Sequence, residues 1–180
     1  MSMRDAYIFF MTKLRTENIF GALALALSDD VVRASSAVAP EVGPAAAAIV
    51  LLGHEPGLSI ADLAVGVGLT HPGAVRLVDR LVADGMIDRR PDPTDGRVRS
   101  LHLTASGENA CESILKARRV VVAKAISPLT ADEMKQLEHL SERMLKALLI
   151  DDDHALRVCR LCDYASCDRC PVDSELALRA

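Results

Sequence analysis

Two helix-start signals lie close together in the middle of this chain, and glycines limit what each can start. Ser59-Ile60-Ala61-Asp62 is a capping box with Ser59 as N-cap, and Leu58 and Leu63 stand where a hydrophobic staple would place them. The helix it opens ends at Gly66 or Gly68. Thr70 caps a second helix with Pro72 in its first turn, where a missing N–H costs nothing, and this helix stops at Asp84-Gly85. Two short helices joined by a glycine-containing turn make a helix-turn-helix. Met86 to Arg90 and Arg97 to Leu103 then read as two strands, joined by the turn Pro91-Asp92-Pro93-Thr94-Asp95-Gly96. The expected fold is mainly α with a small β-wing: a winged helix-turn-helix lobe on a helical domain.

The flanking sequence supplies that helical domain. Lys13 to Val38 has Leu14, Phe20, Leu23, Leu27 and Val31 near helical spacing, and Met1 to Thr12 either extends this helix or forms a short arm. A breaker at 39–44 precedes an Ala-rich helix from Pro44 to Gly53. Thr104 caps a helix from about Ala105 to Ile126, ended by Ser127-Pro128. A second capping box, Thr130-Ala131-Asp132-Glu133, opens a helix that runs to about Ile150. The chain therefore divides into a helical 1–45, a winged lobe 46–104, helices over 105–150 and a cysteine-rich tail 151–180, with Asp151-Asp152-Asp153 as a solvated boundary. Aromatic residues make up only 3% of the chain and there is no Trp, so the core must be built from Ala, Leu, Val and Ile in closely packed helices.

The net charge is −4, which does not announce nucleic acid, but a DNA reader needs only a local basic face. On the second helix of the pair, Val75, Val78, Leu81 and Val82 are expected to face the core, leaving Gly73, Arg76 and Arg80 on the free side. The N-terminal part of that face, from the cap Thr70 through His71, Gly73 and Arg76, would enter the major groove, helped by the anion preference of a helix N-terminus. Asp95 and Arg97 at the wing tip, with Arg99 behind them, suit the narrow minor groove, and a neighbouring Asp can hold the guanidinium in place. Arg89 and Arg90 stand ready for phosphates. The plain alternatives are a solvated Arg face and a surface salt bridge in a turn. Asp79, Asp84, Asp88 and Asp92 offset much of the charge, so moderate affinity with a steep salt dependence is expected.

Taken together, "LSIADLAVGVGLT", "VRLVDRLVADGMIDRR" and "DPTDGRVRSLHLTASG" resemble the MarR family of winged helix-turn-helix regulators from Leu58 to Gly107. The wing D-x-R falls on Asp95 and Arg97, and the L-T-x-x-G that opens the next helix on Leu103, Thr104 and Gly107. The resemblance implies a homodimer with two winged lobes on a shared helical domain. Such a dimer acts in transcription regulation, as a repressor on a pseudo-palindromic stretch of double-stranded DNA with half-sites about one turn apart. It also implies modulation by a small-molecule effector or by thiol oxidation. Ile114, Leu115, Val120 to Val122, Leu137, Leu140, Leu145, Leu148 and Leu149 carry more apolar surface than one subunit can cover, which agrees with a dimer. His71-Pro72-Gly73 departs from the small hydroxyl residues usual in the family's reading helix, so base preference there is not inherited.

The tail is the feature this family does not explain. Cys159-x-x-Cys162 and Cys167-x-x-Cys170 are two C-x-x-C pairs four residues apart, a spacing suited to a tetrahedral four-sulfur zinc site. An iron–sulfur cluster is an alternative, and so is no metal at all, with the thiols forming a disulfide switch. Cys111 reads as a small hydrophobe, and of the scattered histidines only His154 lies near the tail. No P-loop, Ser/His/Asp order or H-E-x-x-H is present, so an enzyme is not expected. A protein-interaction adaptor with a zinc-knuckle tail is the competing function. No run of 18 apolar residues suggests a membrane span, and no signal peptide is evident, which points to the cytoplasm.

Overall fold

The computed structural model describes residues 3–41, 43–91, 99–167 and 169–179. Among these the order is α1 (Met3–Val38), α2 (Ala45–His54), α3 (Ile60–Val67), α4 (His71–Ala83), β1 (Ile87–Pro91), β2 (Arg99–Leu103), α5 (Ala105–Ile126), α6 (Ala131–Leu148), α7 (Asp152–Cys159), a 3₁₀ turn Tyr164–Ser166 and α8 (Pro171–Arg179). The segment before Lys13 continues α1 rather than forming a separate arm. No helix among the described residues is long and apolar enough to cross a membrane.

The core is organised around α2. Its sequence is apolar on every side, and a helix without a polar face has to lie inside. Every residue from Ala45 to Leu52 is buried. Around it lie Leu63 of α3, Leu77, Val78 and Leu81 of α4, Ile87 of β1, Leu101 of β2 and Ile114 of α5. The run of small alanines in α2 lets these elements approach closely, in place of the aromatic bulk the chain lacks.

Local signals set the boundaries. Ser59 Oγ accepts from the Asp62 N–H at 3.2 Å, and Thr70 Oγ1 accepts from the Gly73 N–H at 3.3 Å. Of the two glycines that might end α3, Gly68 is the one that does, at φ 69°, where a left-handed residue closes the helix. Gly66 stays helical and buried, and a Cβ there would collide with Leu51. Thr104 ties the wing to α5, since its Oγ1 donates to the Gly85 carbonyl at 2.6 Å and accepts from the Gly107 N–H at 3.1 Å. Gly107 is needed because any Cβ would strike the Met86 carbonyl. At α6 the full capping box forms, with the Thr130 N–H donating to Glu133 Oε2 at 2.8 Å.

β1 and β2 pair antiparallel, from Ile87 opposite Leu103 to Pro91 opposite Arg99. On its other side Leu101 bonds to the chain before α3, as the Gly57 N–H donates to the Leu101 carbonyl at 2.8 Å and the Leu101 N–H to the Leu58 carbonyl at 3.0 Å. The hairpin is thereby fixed to the start of the helix-turn-helix. The wing turn, with Asp95 and Arg97, lies outside the described residues.

The acidic run at 151–153 begins a helix instead of a loose tail. Asp151 caps α7, accepting from the His154 N–H at 2.8 Å. The face of α7 lies on α3, and α8 lies on α6. A small second cluster of Leu149, Ala155 and Val172 forms there.

Candidate nucleic-acid interface

The reading helix is α4. Its buried stripe is Ala74, Leu77, Val78 and Leu81, while Val75 and Val82 are only half-buried. The stripe expected from sequence, with Val75 and Val82 in it, lies slightly to one side of the buried one. His71, Pro72, Arg76, Asp79 and Arg80 are exposed, as the sequence reading requires of a free face. Gly73 is half-buried beside the Thr70 side chain, so its backbone serves the cap as well as the face.

The cations of this face fall into two groups. Arg80 Nε bonds Glu41 Oε1 at 2.5 Å, which ties α4 to the connection after α1. Arg89 bonds Asp79 at 2.5 Å and ties β1 to α4, while Arg90 lies 3.6 Å from Asp88. These pairs are largely exposed and are worth under about 1 kcal/mol each, so phosphates can compete for the guanidinium groups. Arg76 and Arg99 are exposed with no ion-pair partner among the described residues, and His71 is exposed at the start of α4. An uncompensated cation on the N-terminal half of a free helix face, next to a hairpin, can take a phosphate or the acceptor edge of a guanine.

Sequence reasoning did not find what lies behind this face. His54 stacks on Tyr164 with ring centroids 5.2 Å apart, and its Nε2 lies 3.3 Å from the Cys159 carbonyl. Arg157 Nε donates to the Val65 carbonyl at 3.2 Å, and Arg119 bonds Asp163 at 2.7 Å. The Arg119 guanidinium holds the Asp163 carboxyl below its ordinary range. A cavity of about 510 Å³ opens at the base of the hairpin, between Gly53 of α2, Arg90, His102 and the Glu108, Cys111 and Glu112 face of α5. These contacts join residues far apart in the chain, and no local pattern announces them.

The tail cysteines stand together at one end of this arrangement. Cys159, Cys162 and Cys170 are half-buried, Cys167 is exposed, and none is in a disulfide. Burial, followed by the charges of Cys162 and Cys170, pushes the Cys159 thiol up to about 12, and burial raises Cys162 as well. Cys111 is pushed up to about 11, mainly by burial in α5. Among the described residues no three metal-capable side chains already surround a common point.

Comparison with known proteins places this architecture. A model of the MarR family matches residues 43–98. Over 98 residues the chain is 34% identical to the HTH-type transcriptional regulator BilQ of Clostridium symbiosum, covering 54% of this chain and 68% of that regulator. It spans about half the length of several further curated relatives, all of them transcriptional regulators. The crystal structure of RV1404 from Mycobacterium tuberculosis is similar with a TM-score of 0.62 at 25% identity, covering 76% of this chain and 93% of that one. The transcriptional repressor CouR, bound to a 23-mer DNA duplex, shares the fold with a TM-score of 0.53 at 22% identity, covering 71% and 89% of the two chains.

Proposed function

We propose that this chain, which belongs to the MarR family of transcriptional regulators, reads double-stranded DNA as a homodimer and acts as a repressor. The observation that carries this reading is the exposed face of α4, where His71 and Arg76 stand without a partner among the described residues beside a hairpin bearing Arg99. CouR, which shares the fold, is a repressor bound to a DNA duplex, and that supports DNA as the partner. Thr70, His71, Gly73 and Arg76 meet the major groove, Arg89, Arg90 and Arg99 meet phosphates beside it, and Arg80 holds the helix against Glu41. Asp95 and Arg97 serve the minor groove.

The dimer rests on exposed apolar surface. In α1, Phe9 is 68% exposed, Leu25 69% and Phe10 55%, and in α6 and just beyond, Leu148 and Ile150 are equally open. Large side chains in such numbers are a liability on a monomer and are what a subunit interface covers. A small-molecule effector would enter the cavity at the hairpin base, where Arg90 and His102 of the wing meet α5 and a ligand can shift one against the other.

Sedimentation of the purified chain, with selection of bound duplexes from a random pool, tests this reading. Two chains per particle and enrichment of a pseudo-palindrome with half-sites about one helical turn apart are expected. A monomer that enriches no sequence, or that captures a protein partner with no dependence on salt, would support the adaptor instead.

A further inference from the structure

The chain from Asp151 onward forms a strap that touches α2, α3, α5 and the end of α6. Leu156 of α7 packs over Gly66 of α3, where the absent Cβ leaves room, and Arg157 bonds the α3 backbone at Val65. The next turn reaches α2 through His54 and Tyr164, and α5 through Arg119 and Asp163. At its end, Arg179 of α8 donates to the Leu149 and Ile150 carbonyls after α6, at 2.8 and 3.1 Å. One segment thus joins the first helix of the helix-turn-helix to the two long helices that follow the wing.

The four tail cysteines lie in the middle of this strap. Cys159 ends α7, and the Cys162 N–H donates back to the Cys159 carbonyl at 2.8 Å, closing the tight turn that lets two sulfurs face one ion. The chain then reverses, with the Ser166 N–H bonded to the Asp163 carbonyl and the Cys167 N–H to the Tyr164 carbonyl, both at 3.1 Å. This reversal brings the second pair back, so that Cys159 and Cys170 pack against the same cluster of Leu149, Ala155 and Val172. Positive charge is at hand, because Arg118 and Arg160 line a cleft with Cys162, and Arg169 lines one with Cys167. The buried cluster under the strap is small, and beyond it the strap meets the main core through Leu156 and Leu161, both only partly buried.

We propose that Cys159, Cys162, Cys167 and Cys170 hold one thiophilic divalent cation of the zinc class, and that this ion locks the strap between the reading lobe and the helical body. On binding, four sulfur–metal bonds form and the thiol protons leave to solvent, giving a complex of charge −2 that the nearby arginines offset. Closing the site requires the sulfurs to converge, Cys167 as the exposed member moving furthest, since among the described residues no three of them already surround a common point. The donor set suits zinc: it has four sulfurs, no carboxylate and no open position, as in structural sites. The effect on DNA rests on the function proposed above, whereas metal binding does not.

The test uses the full chain, purified without oxygen, stripped with a chelator and titrated with Co²⁺. One equivalent per chain is expected, with the absorption of tetrahedral four-thiolate cobalt, which excess Zn²⁺ abolishes. C162S and C170S should lose this spectrum while C111S keeps it. Hydrogen exchange in α3 and α7 should slow when metal binds, and operator affinity should rise about tenfold. Four reagent-accessible thiols with no cobalt spectrum would overturn the site, as would a brown iron- and sulfide-containing protein or a disulfide formed in the absence of oxygen. Metal binding that leaves exchange in α3 unchanged would overturn the lock. Loss of operator binding in every metal state, with the cobalt result intact, would instead count against the DNA reading.

Discussion

In the winged lobe, Leu63, Leu77, Leu81, Ile87 and Leu101 are fully covered and share one cluster with α2. In the strap, the buried apolar side chains among the described residues are Ala155 and Val172, packed with Leu149 at the end of α6, while Leu156 and Leu161 reach the main core only partly buried. Polar ties add to these: Arg157 on Val65, Arg119 on Asp163, Arg179 on the end of α6. The lobe is a continuous apolar core closed by caps at its helix ends. The strap has a smaller apolar set, with Leu156 and Leu161 only partly buried, joined to separate polar anchors. A reader of DNA must hold its recognition helix rigidly, and the core does so. A segment that reports a signal must be able to change state, and separate anchors around a cluster of thiols permit that.

The comparison can be broken by substitution. Leu77→Ala, in the middle of the lobe, should cost about 2–5 kcal/mol and lower the melting of the whole chain. A loss below about 1 kcal/mol would mean that the lobe is not the cooperative core. Thr104→Ala removes the cap that joins wing to α5, and about 1–2 kcal/mol should be lost in urea unfolding, with the hairpin exchanging faster. Val172→Ala should be milder and local, about 1 kcal/mol seen as faster exchange in α7 and α8, while exchange in α4 is unaffected. Acceleration in α4 equal to that in α7 would make strap and lobe a single unit.

The smallest effect concerns α6, which buries none of its residues within one chain and starts only at its capping box. Hydrogen bonds from Thr130 hold the Glu133 carboxyl below its ordinary range. A carboxyl lowered in the folded state stabilises above its unfolded pKa, and that contribution disappears as the pH falls through the lower folded value. Carboxyl NMR titration should find Glu133 below the usual glutamate range, and closer to it in Thr130→Ala, which removes the hydroxyl donor but keeps the backbone N–H. An ordinary value in the parent chain would remove the box.

Those parts of the fold that depend on neighbouring residues were legible in the sequence. Thr104 and Ser127-Pro128 bound α5, and Ser59, Thr70 and Thr130 mark three further starts, because each cap acts within four residues. Where two local signals competed, packing decided: Gly66 and Gly68 look alike as helix ends, but Gly66 is needed as a hollow for Leu51 and Leu156. The buried stripe of α4 includes Ala74 and Leu77 in place of Val75 and Val82, a rotation of the helix that its own spacing leaves open. At the candidate site, the exposure of His71, Arg76 and Arg80 followed from helical spacing. The engagement of Arg80 by Glu41 and of Arg89 by Asp79 did not, nor did the docking of α7 on α3, because these depend on residues brought together from distant parts of the chain.

The central claim is that Arg76, the α4 cation with no ion-pair partner among the described residues, reads DNA while its paired neighbour Arg80 holds the helix. Operator affinity of Arg76→Ala and Arg80→Ala, measured over a range of salt concentrations with a duplex obtained by selection, tests it most directly. Arg76→Ala should weaken binding by about 1–3 kcal/mol, and by more on the selected duplex than on a scrambled one if it contacts a base. If it contacts a phosphate, the loss should be uniform and the salt slope should fall by about 1. Arg80→Ala should change affinity much less. Unchanged affinity and slope in Arg76→Ala, with the fold intact, would contradict the account and move the interface off α4.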